Sequence, residues 1–151
     1  MRAVITRVKS ASVSIAGSVV GEIGHGLLIL LGVGPDDTPE LCEKLADKAL
    51  GLRIFCDEAG KMNRSLADIG GQVLVVSQFT LYADLKSRRP GFTGAAKPAL
   101  AVPLYERFMA ECEKLGFHVE HGEFGADMQV SLVNEGPCTI VIDTDEWAHH
   151  S

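Results

Sequence analysis

Alternating and continuous apolar stretches in the first part of the chain predict three β-strands. Apolar and polar residues alternate through residues 4–8 and 12–15, as they do in a strand with one buried face. The pair at 16–17, Ala-Gly, separates this stretch from residues 18–20 and predicts a hairpin turn. Residues 27–31 are uniformly apolar, which is typical of a strand buried on both faces. The chain therefore begins with an antiparallel arrangement.

Two helices are predicted from apolar spacing and from residues that favour helix ends. Thr38 suits the N-cap and Pro39 suits the first helical position of the first helix. A second helix is expected over residues 98–115, and Gly116 should end it. The apolar positions at helical spacing are Leu41, Leu45, Ala49 and Leu52 in the first helix and Leu100, Leu104, Phe108 and Cys112 in the second.

Further strands are expected over residues 73–79, 117–123, 129–133 and 139–143, and a loop is expected around residues 63–65. Each half of the chain thus carries several strands and one helix. This pattern indicates an α+β fold whose mostly antiparallel sheet curls toward a barrel.

Composition favours one compact domain. The chain has 151 residues, of which 46% are hydrophobic, and no Pro-rich or Ser-rich linker divides it. We expect a single domain over residues 1–147 and a disordered tail over 148–151. No stretch approaches the roughly 20 apolar residues of a membrane helix, so we expect a cytoplasmic protein without membrane contact. The four cysteines lack zinc-ligand spacing, so we expect free buried thiols and neither a metal nor another cofactor.

The formal net charge of −6 argues against a protein that grips long nucleic acid, DNA included, through general phosphate attraction. Any RNA contact must therefore be local. The one concentrated basic segment contains Lys86, Arg88 and Arg89, with Lys97 nearby. It is either a solvated loop or a phosphate-binding loop, and its position directly after the polar residues 77–80 favours phosphate contact.

Two stretches place small polar residues where an apolar strand ends. Ser77, Gln78, Phe79 and Thr80 follow the apolar run 73–76. Asn134, Gly136, Pro137 and Thr139 lie between two strand-like runs, where proline cannot donate to a sheet ladder. A strand that turns polar at its end often reaches a pocket, so these residues are the candidate site.

Both stretches resemble motifs of the D-aminoacyl-tRNA deacylases, also called D-tyrosyl-tRNA deacylases. The similarity extends from residue 1 through Phe124-Gly125-Ala126-Asp127-Met128 to about residue 143, which is nearly the whole chain. Cys138 stands where the family usually has a larger apolar residue, and Ser87 stands where glycine is common. The resemblance implies hydrolysis of the ester that joins a D-amino acid to the 3′-terminal adenosine of tRNA.

The first motif lacks an obvious base for a serine-hydrolase triad, because neither stretch contains histidine or lysine. We therefore favour a mechanism in which the backbone N–H groups of Phe79 and Thr80 hold the developing oxyanion, while Ser77 and Gln78 orient the pocket and the terminal ribose. Water would attack, assisted by the ribose 2′-hydroxyl, a role that the resemblance implies. Covalent attack by Ser77 or Thr80 is an alternative, as is a purely structural role for both hydroxyls.

The second motif is predicted to discriminate D from L substrates. The resemblance implies a cis Gly136-Pro137 pair that enters the partner subunit's site, and hence a homodimer with shared sites; an ordinary trans-proline turn is the alternative. Asn134 and Thr139 would hold the pair rigid. Since a steric filter against an L side chain cannot exclude glycine, glycyl-tRNA should also be a substrate.

Two other functions stay open. The chain could be a nucleic-acid-binding module without catalysis, in which the basic loop binds phosphate and both motifs are structural. It could also be an editing hydrolase for an L-aminoacyl-tRNA. Phe124 and Met128 either fill the core, which we favour, or pack near the adenine.

Overall fold

The computed structural model describes residues 1–149, with side chains as far as Trp147. The strands are β1 (Arg2–Ile15), β2 (Ser18–Ile23), β3 (Gly26–Gly32), β4 (Phe55–Cys56), β5 (Met62–Arg64), β6 (Gln72–Ser77), β7 (Val119–His121) and β8 (Gln129–Asp143). The helices are α1 (Pro39–Leu50) and α2 (Pro98–Lys114), and two 3₁₀ helices cover Phe79–Tyr82 and Thr144–His149. Residues 150 and 151 of the predicted tail at 148–151 lie outside the described residues, so its disorder stays a prediction.

The main sheet has the order β2-β1-β3-β6-β7, and β8 pairs with β1. β1 is antiparallel to β2, β3 and β8, whereas the β3–β6 and β6–β7 pairs are parallel. β4 and β5 form a separate antiparallel ribbon. The sheet curls until β2 approaches β7, since a Cβ added at Gly21 would lie 2.7 Å from the main-chain oxygen of His121. The predicted α+β fold with a mostly antiparallel sheet curled toward a barrel is confirmed.

Side-chain alternation along β3 divides the core into two clusters. Ile29 and its odd-numbered neighbours pack in the larger cluster with both helices, where Leu45 and Phe108 are fully buried. Leu28 packs on the opposite face with Leu74 and others. Burial of these apolar side chains away from water makes the main contribution to holding the helices on the sheet. No helix within residues 1–149 is long and apolar enough to cross a membrane.

Most element predictions are confirmed, including the cap of α1, where the Thr38 hydroxyl accepts a hydrogen bond from the Leu41 amide at 3.3 Å. Two boundaries were wrong. The strand predicted over residues 73–79 ends at Ser77, and the chain then tightens into a 3₁₀ helix. The runs 129–133 and 139–143 belong to one continuous strand, because register shifts along β1 accommodate the proline between them.

Smaller differences occur at the surface. Residues 63 and 64 of the loop predicted around 63–65 belong to β5, and the strand predicted over 117–123 is shortened to β7. All four cysteines are free, but Cys56 is exposed and Cys138 is half-buried, so the expectation of buried thiols is confirmed only for Cys42 and Cys112. Burial raises the pKa of the Cys42 and Cys112 thiols to about 12, which keeps them protonated and unreactive.

Candidate active site

The first motif lies where β6 ends and the chain turns sharply. Ser77 is the last residue of β6, beside Leu31 of β3, and the Gln78 amide still donates to the Leu31 carbonyl at 2.8 Å. Phe79 then begins the 3₁₀ helix. Because of this turn, residues 77–81 do not alternate between two faces as an extended strand would. Ser77 and Gln78 are half-buried, whereas Phe79 and Thr80 are exposed.

The turn leaves two backbone donors free. The N–H groups of Phe79 and Thr80 donate to no acceptor in the part of the chain that the structure describes. The first amides of a helical turn point away from the residues that follow, so they lack partners within the turn. Free amides beside a cavity are the arrangement that stabilises an oxyanion in acyl transfer.

A cavity of about 270 Å³ adjoins this turn. Its walls come from the end of β6 and from the loop before β8, and they include Ser77, Gln78, Phe79, Phe124 and Met128. Phe124 and Met128 are half-buried and also pack against the two core clusters, so each both lines the cavity and extends the core. Asp127 carries the one ionisable side chain among the residues that line this cavity.

Two hydroxyl groups near the cavity, those of Thr80 and Tyr105, have hydrogen-bond partners. The Gln78 side-chain amide donates a hydrogen bond to the Thr80 hydroxyl oxygen. Tyr105 lines a second, smaller cavity behind Ser77, and its hydroxyl donates to the Val75 carbonyl at 2.9 Å. Burial raises the pKa of Tyr105 to about 12, so this hydroxyl stays neutral and cannot serve as a base near neutral pH.

The second motif is an exposed turn inside β8 that its own side chains tie together. The Gly136–Pro137 peptide bond is cis, and both residues are exposed. Asn134 accepts a hydrogen bond from the Cys138 amide at 2.8 Å and donates to the Thr139 hydroxyl at 3.0 Å. Asn134 and Thr139 thus lie on either side of the pair and are joined by these bonds, and their role in holding it rigid stays a prediction.

Arg7 hydrogen-bonds to this turn, a contact that was not predicted from the sequence. It is 8% exposed, and its guanidinium donates to the Glu135 carbonyl at 2.9 Å and to the Ile54 carbonyl at 2.6 Å. A Cβ added at Gly136, where φ is +125°, would clash with this guanidinium. The available signal was an arginine on the same strand face as the buried Ala3 and Ile5, since a buried charge requires partners.

A larger cavity of about 430 Å³ lies beside Arg7, at a distance from Ser77–Thr80. Some of its polar groups are engaged within the chain, because Arg7 donates to the two carbonyls and His25 contacts the Glu135 carboxylate at 2.7 Å. None of residues 77–80 lines this larger cavity, whereas Ser77, Gln78 and Phe79 line the smaller one. We therefore place the candidate active site at the smaller cavity.

The structure does not bring the two motifs together within one chain. Ser77 lies level with Leu31 and thus with Ala3 of β1, whereas the turn at Gly136 lies level with Arg7, with β1 and β3 in between. Strand spacing and rise place the motifs on the order of 15–20 Å apart. None of residues 134–139 lines the cavity at Ser77.

The basic segment follows the first motif directly and is held as an ordered loop. Two backbone hydrogen bonds between Asp84 and Gly91, of 2.7 and 2.9 Å, close its base. The loop also packs back on the motif, because Phe92 contacts Phe79. Lys86, Arg88 and Arg89 are exposed, and none of them forms an ion pair with a described residue.

Comparison with known proteins gives the same family as the one that the two motifs resemble. The sequence matches the family described as D-Tyr-tRNA(Tyr) deacylase over residues 4–143. A D-aminoacyl-tRNA deacylase of Herpetosiphon aurantiacus is 57% identical over 150 residues, which cover 99% of this chain and 98% of the relative. The corresponding protein of Roseiflexus castenholzii is 59% identical over 145 residues, covering 95% and 92%.

Solved structures show the same fold. A structure named c-Myc DNA Unwinding Element Binding Protein superposes with a TM-score of 0.89 at 39% identity and covers 95% of this chain and 98% of its own. A probable eukaryotic D-amino acid tRNA deacylase superposes with a TM-score of 0.84 at 18% identity, covering 94% and 98%, and supports the fold alone.

Fold, motifs and comparisons together define a hydrolase of aminoacyl-tRNA esters. The chain belongs to the D-Tyr-tRNA(Tyr) deacylase family. Its activity is the hydrolysis of D-aminoacyl-tRNA to a D-amino acid and tRNA, which removes mischarged substrate before translation.

Proposed function

We propose that deacylation takes place in the cavity lined by Ser77, Gln78 and Phe79. The main-chain amides of Phe79 and of Thr80, which directly follows the lining residues, would bind the oxyanion. The observation that carries this proposal is the pair of amides that have no acceptor within the described chain. Ser77 and Gln78 border the same cavity and would orient the terminal ribose. An aminoacyl ester is already activated, so positioning and charge stabilisation supply most of the required rate enhancement.

The attacking nucleophile in this proposal is water, assisted by the 2′-hydroxyl of the substrate. Histidine, lysine and cysteine are absent from the residues that line the two cavities at Ser77. The Thr80 hydroxyl accepts a hydrogen bond from Gln78, and it donates to no described residue that could remove its proton. A hydroxyl without such a base is a poor nucleophile.

Replacing Thr80 by alanine should therefore lower kcat less than about tenfold, the value of one ordinary hydrogen bond. Removal of a true nucleophile would lower kcat by about 10⁴-fold or more. Single-turnover hydrolysis of D-tyrosyl-tRNA by the Thr80→Ala variant distinguishes the two cases. A collapse of activity in Thr80→Ala would contradict attack by water, and trapping of a D-tyrosyl ester on the protein in the wild type would establish covalent catalysis.

We further propose that Gly136 and Pro137 form the chiral filter and that a second copy of the chain supplies them to the cavity. One chain cannot bring them to Ser77, because two strands separate the motifs. The cavity of about 270 Å³ lies just below the usual range of small-molecule sites, as expected if a partner chain supplies a further wall. Such a homodimer would contain two shared sites.

The free edge of β8 supports this assembly. Within the described residues β8 pairs only with β1, and its exposed side chains include Leu132, Val133 and Val141. A long edge strand with exposed apolar side chains is a surface that proteins usually cover.

Substitution of Gly136 by alanine should lower the rate with D-tyrosyl-tRNA by about 100-fold, because the added Cβ displaces the Arg7 guanidinium and moves the filter. Gly60→Ala is the matched control, since Gly60 also has a positive φ, of +80°, but has open space around its Cβ position. Steady-state kinetics with both variants measures the effect. Equal activity of the two variants would contradict a filtering role for this turn.

Matched D-tyrosyl-, L-tyrosyl- and glycyl-tRNA test the proposed filter directly. We expect hydrolysis of the D ester and the glycyl ester, and none of the L ester, because the filter collides only with an L side chain. Cleavage of the L ester alone would indicate an L-specific editing enzyme. Resistance of glycyl-tRNA at enzyme levels that clear D-tyrosyl-tRNA would contradict a purely steric filter.

We propose that the basic loop contacts tRNA phosphates beside the site through Lys86, Arg88 and Arg89. We also propose that the protein acts in the cytoplasm and contacts neither DNA nor a membrane. Exposure, absence of ion pairs in residues 1–149 and position next to the cavity support the phosphate contacts. One solved neighbour is named for binding a DNA element. The net charge of −6 disfavours such a role here. Competition by duplex DNA at concentrations near that of tRNA would favour the alternative.

A further inference from the structure

Phe79 and Phe92 form an exposed aromatic pair beside the proposed active site. Their ring centroids are 5.0 Å apart in an edge-to-face arrangement, and the residues are 56% and 39% exposed. Aromatic rings carry a large apolar surface that folding normally removes from water. Two such rings in contact at the surface therefore indicate a binding surface more than an incomplete core.

The pair continues the cavity outward toward the basic loop. Phe79 lines the cavity at Ser77, whereas Phe92 lies next to Phe79 and outside the cavity wall. Phe92 directly follows Gly91, whose two hydrogen bonds to Asp84 close the loop that carries the basic residues. A strand of RNA that leaves the cavity along this path would meet an aromatic ring and then positive charge.

The 3′ end of tRNA matches the order of cavity, aromatic pair and basic loop. A tRNA ends in unpaired nucleotides, and the proposed function places the terminal adenosine in the cavity. Proteins bind single-stranded RNA by stacking bases on aromatic rings while Lys and Arg contact the backbone. Resting on that proposed function, we propose that the Phe79–Phe92 pair is a stacking platform for the nucleotide that immediately precedes the terminal adenosine, with the loop at Lys86–Arg89 binding its phosphates.

Comparison of D-tyrosyl-tRNA with D-tyrosyl-adenosine, which lacks the preceding nucleotides, tests this platform. We expect Phe92→Ala to lower kcat/KM for D-tyrosyl-tRNA about tenfold or more, mainly through KM, the usual consequence of losing one base–aromatic contact. Hydrolysis of D-tyrosyl-adenosine should be unchanged. Phe92→Trp should retain activity on the tRNA, and Phe92→Leu, which keeps an apolar side chain without a ring, should behave like Phe92→Ala.

Three outcomes would overturn the platform. Equal losses on both substrates would show that Phe92 only supports the turn at Phe79. No loss on either substrate would show that the ring binds nothing, and a change of oligomeric state in Phe92→Ala, measured by light scattering, would assign the ring to a protein interface. Failure of the proposed function itself is distinguishable, because wild type would then leave D-tyrosyl-adenosine intact.

Discussion

Replacing Phe79 by proline is expected to lower kcat for D-aminoacyl ester hydrolysis by about 10²–10³-fold, the usual effect of removing one oxyanion-hole donor. Proline removes the N–H group and leaves the main-chain trace nearly unchanged. Phe79 begins the 3₁₀ helix, and Gln78 before it has φ −144° and ψ 83°, outside the helical region that proline disfavours in its predecessor. The amide that is lost has no acceptor in the described chain, so folding should be little affected.

Phe79→Ala is the matched control for the amide. It removes the same ring but keeps the N–H group, so the difference between the proline and alanine variants isolates the backbone donor. D-tyrosyl-adenosine is the appropriate substrate, because it makes no use of nucleotides beyond the terminal one. If the two variants were equally active on it, the Phe79 amide would play no part in catalysis.

The second large effect is expected when the 2′-hydroxyl of the substrate is removed. D-tyrosyl-tRNA that ends in 2′-deoxyadenosine should be hydrolysed about 10²–10⁴-fold more slowly than the ribose form, the range of general acid–base catalysis. The reason is that the residues lining the cavity offer neither histidine, lysine nor cysteine as a base. Single-turnover rates at saturating enzyme separate this loss from weaker binding.

Asp127 provides the control for this interpretation, because it is the one carboxylate in the cavity wall. Asp127→Asn should retain activity on the ribose substrate if the 2′-hydroxyl assists the water. Equal rates for ribose and deoxyribose substrates, together with an inactive Asp127→Asn variant, would assign the base to the protein and reject substrate assistance.

The sequence predicts much of this fold because local signals and tertiary packing agree. Thr38 and Pro39 mark the start of α1, and the continuous apolar run in β3 marks a strand buried on both faces. The turn after Ser77 and the continuity of β8 escape prediction. Each depends on long-range pairing, Gln78 with Leu31 in the first case and β8 with β1 in the second.

The candidate site is predictable only in part, for the same reason. Ser77, Gln78, Phe79 and Thr80 are contiguous, so their neighbourhood follows from sequence. Arg7 is about 130 residues away along the chain from the turn that it supports, and only the pairing of β1 with β8 reveals the contact. The distance between the two motifs within one chain likewise follows from the order of the strands in the sheet.

In the proposed homodimer, each site contains the amides of one chain and the Gly136 turn of the other. A heterodimer of Phe79→Pro and Gly136→Ala subunits, purified through two different tags, tests it with D-tyrosyl-tRNA. Each parent homodimer should be nearly inactive, while the heterodimer should have about half the wild-type activity, because symmetry gives it one intact and one doubly defective site. A heterodimer no more active than its parents would show that each chain works alone and would contradict the shared site.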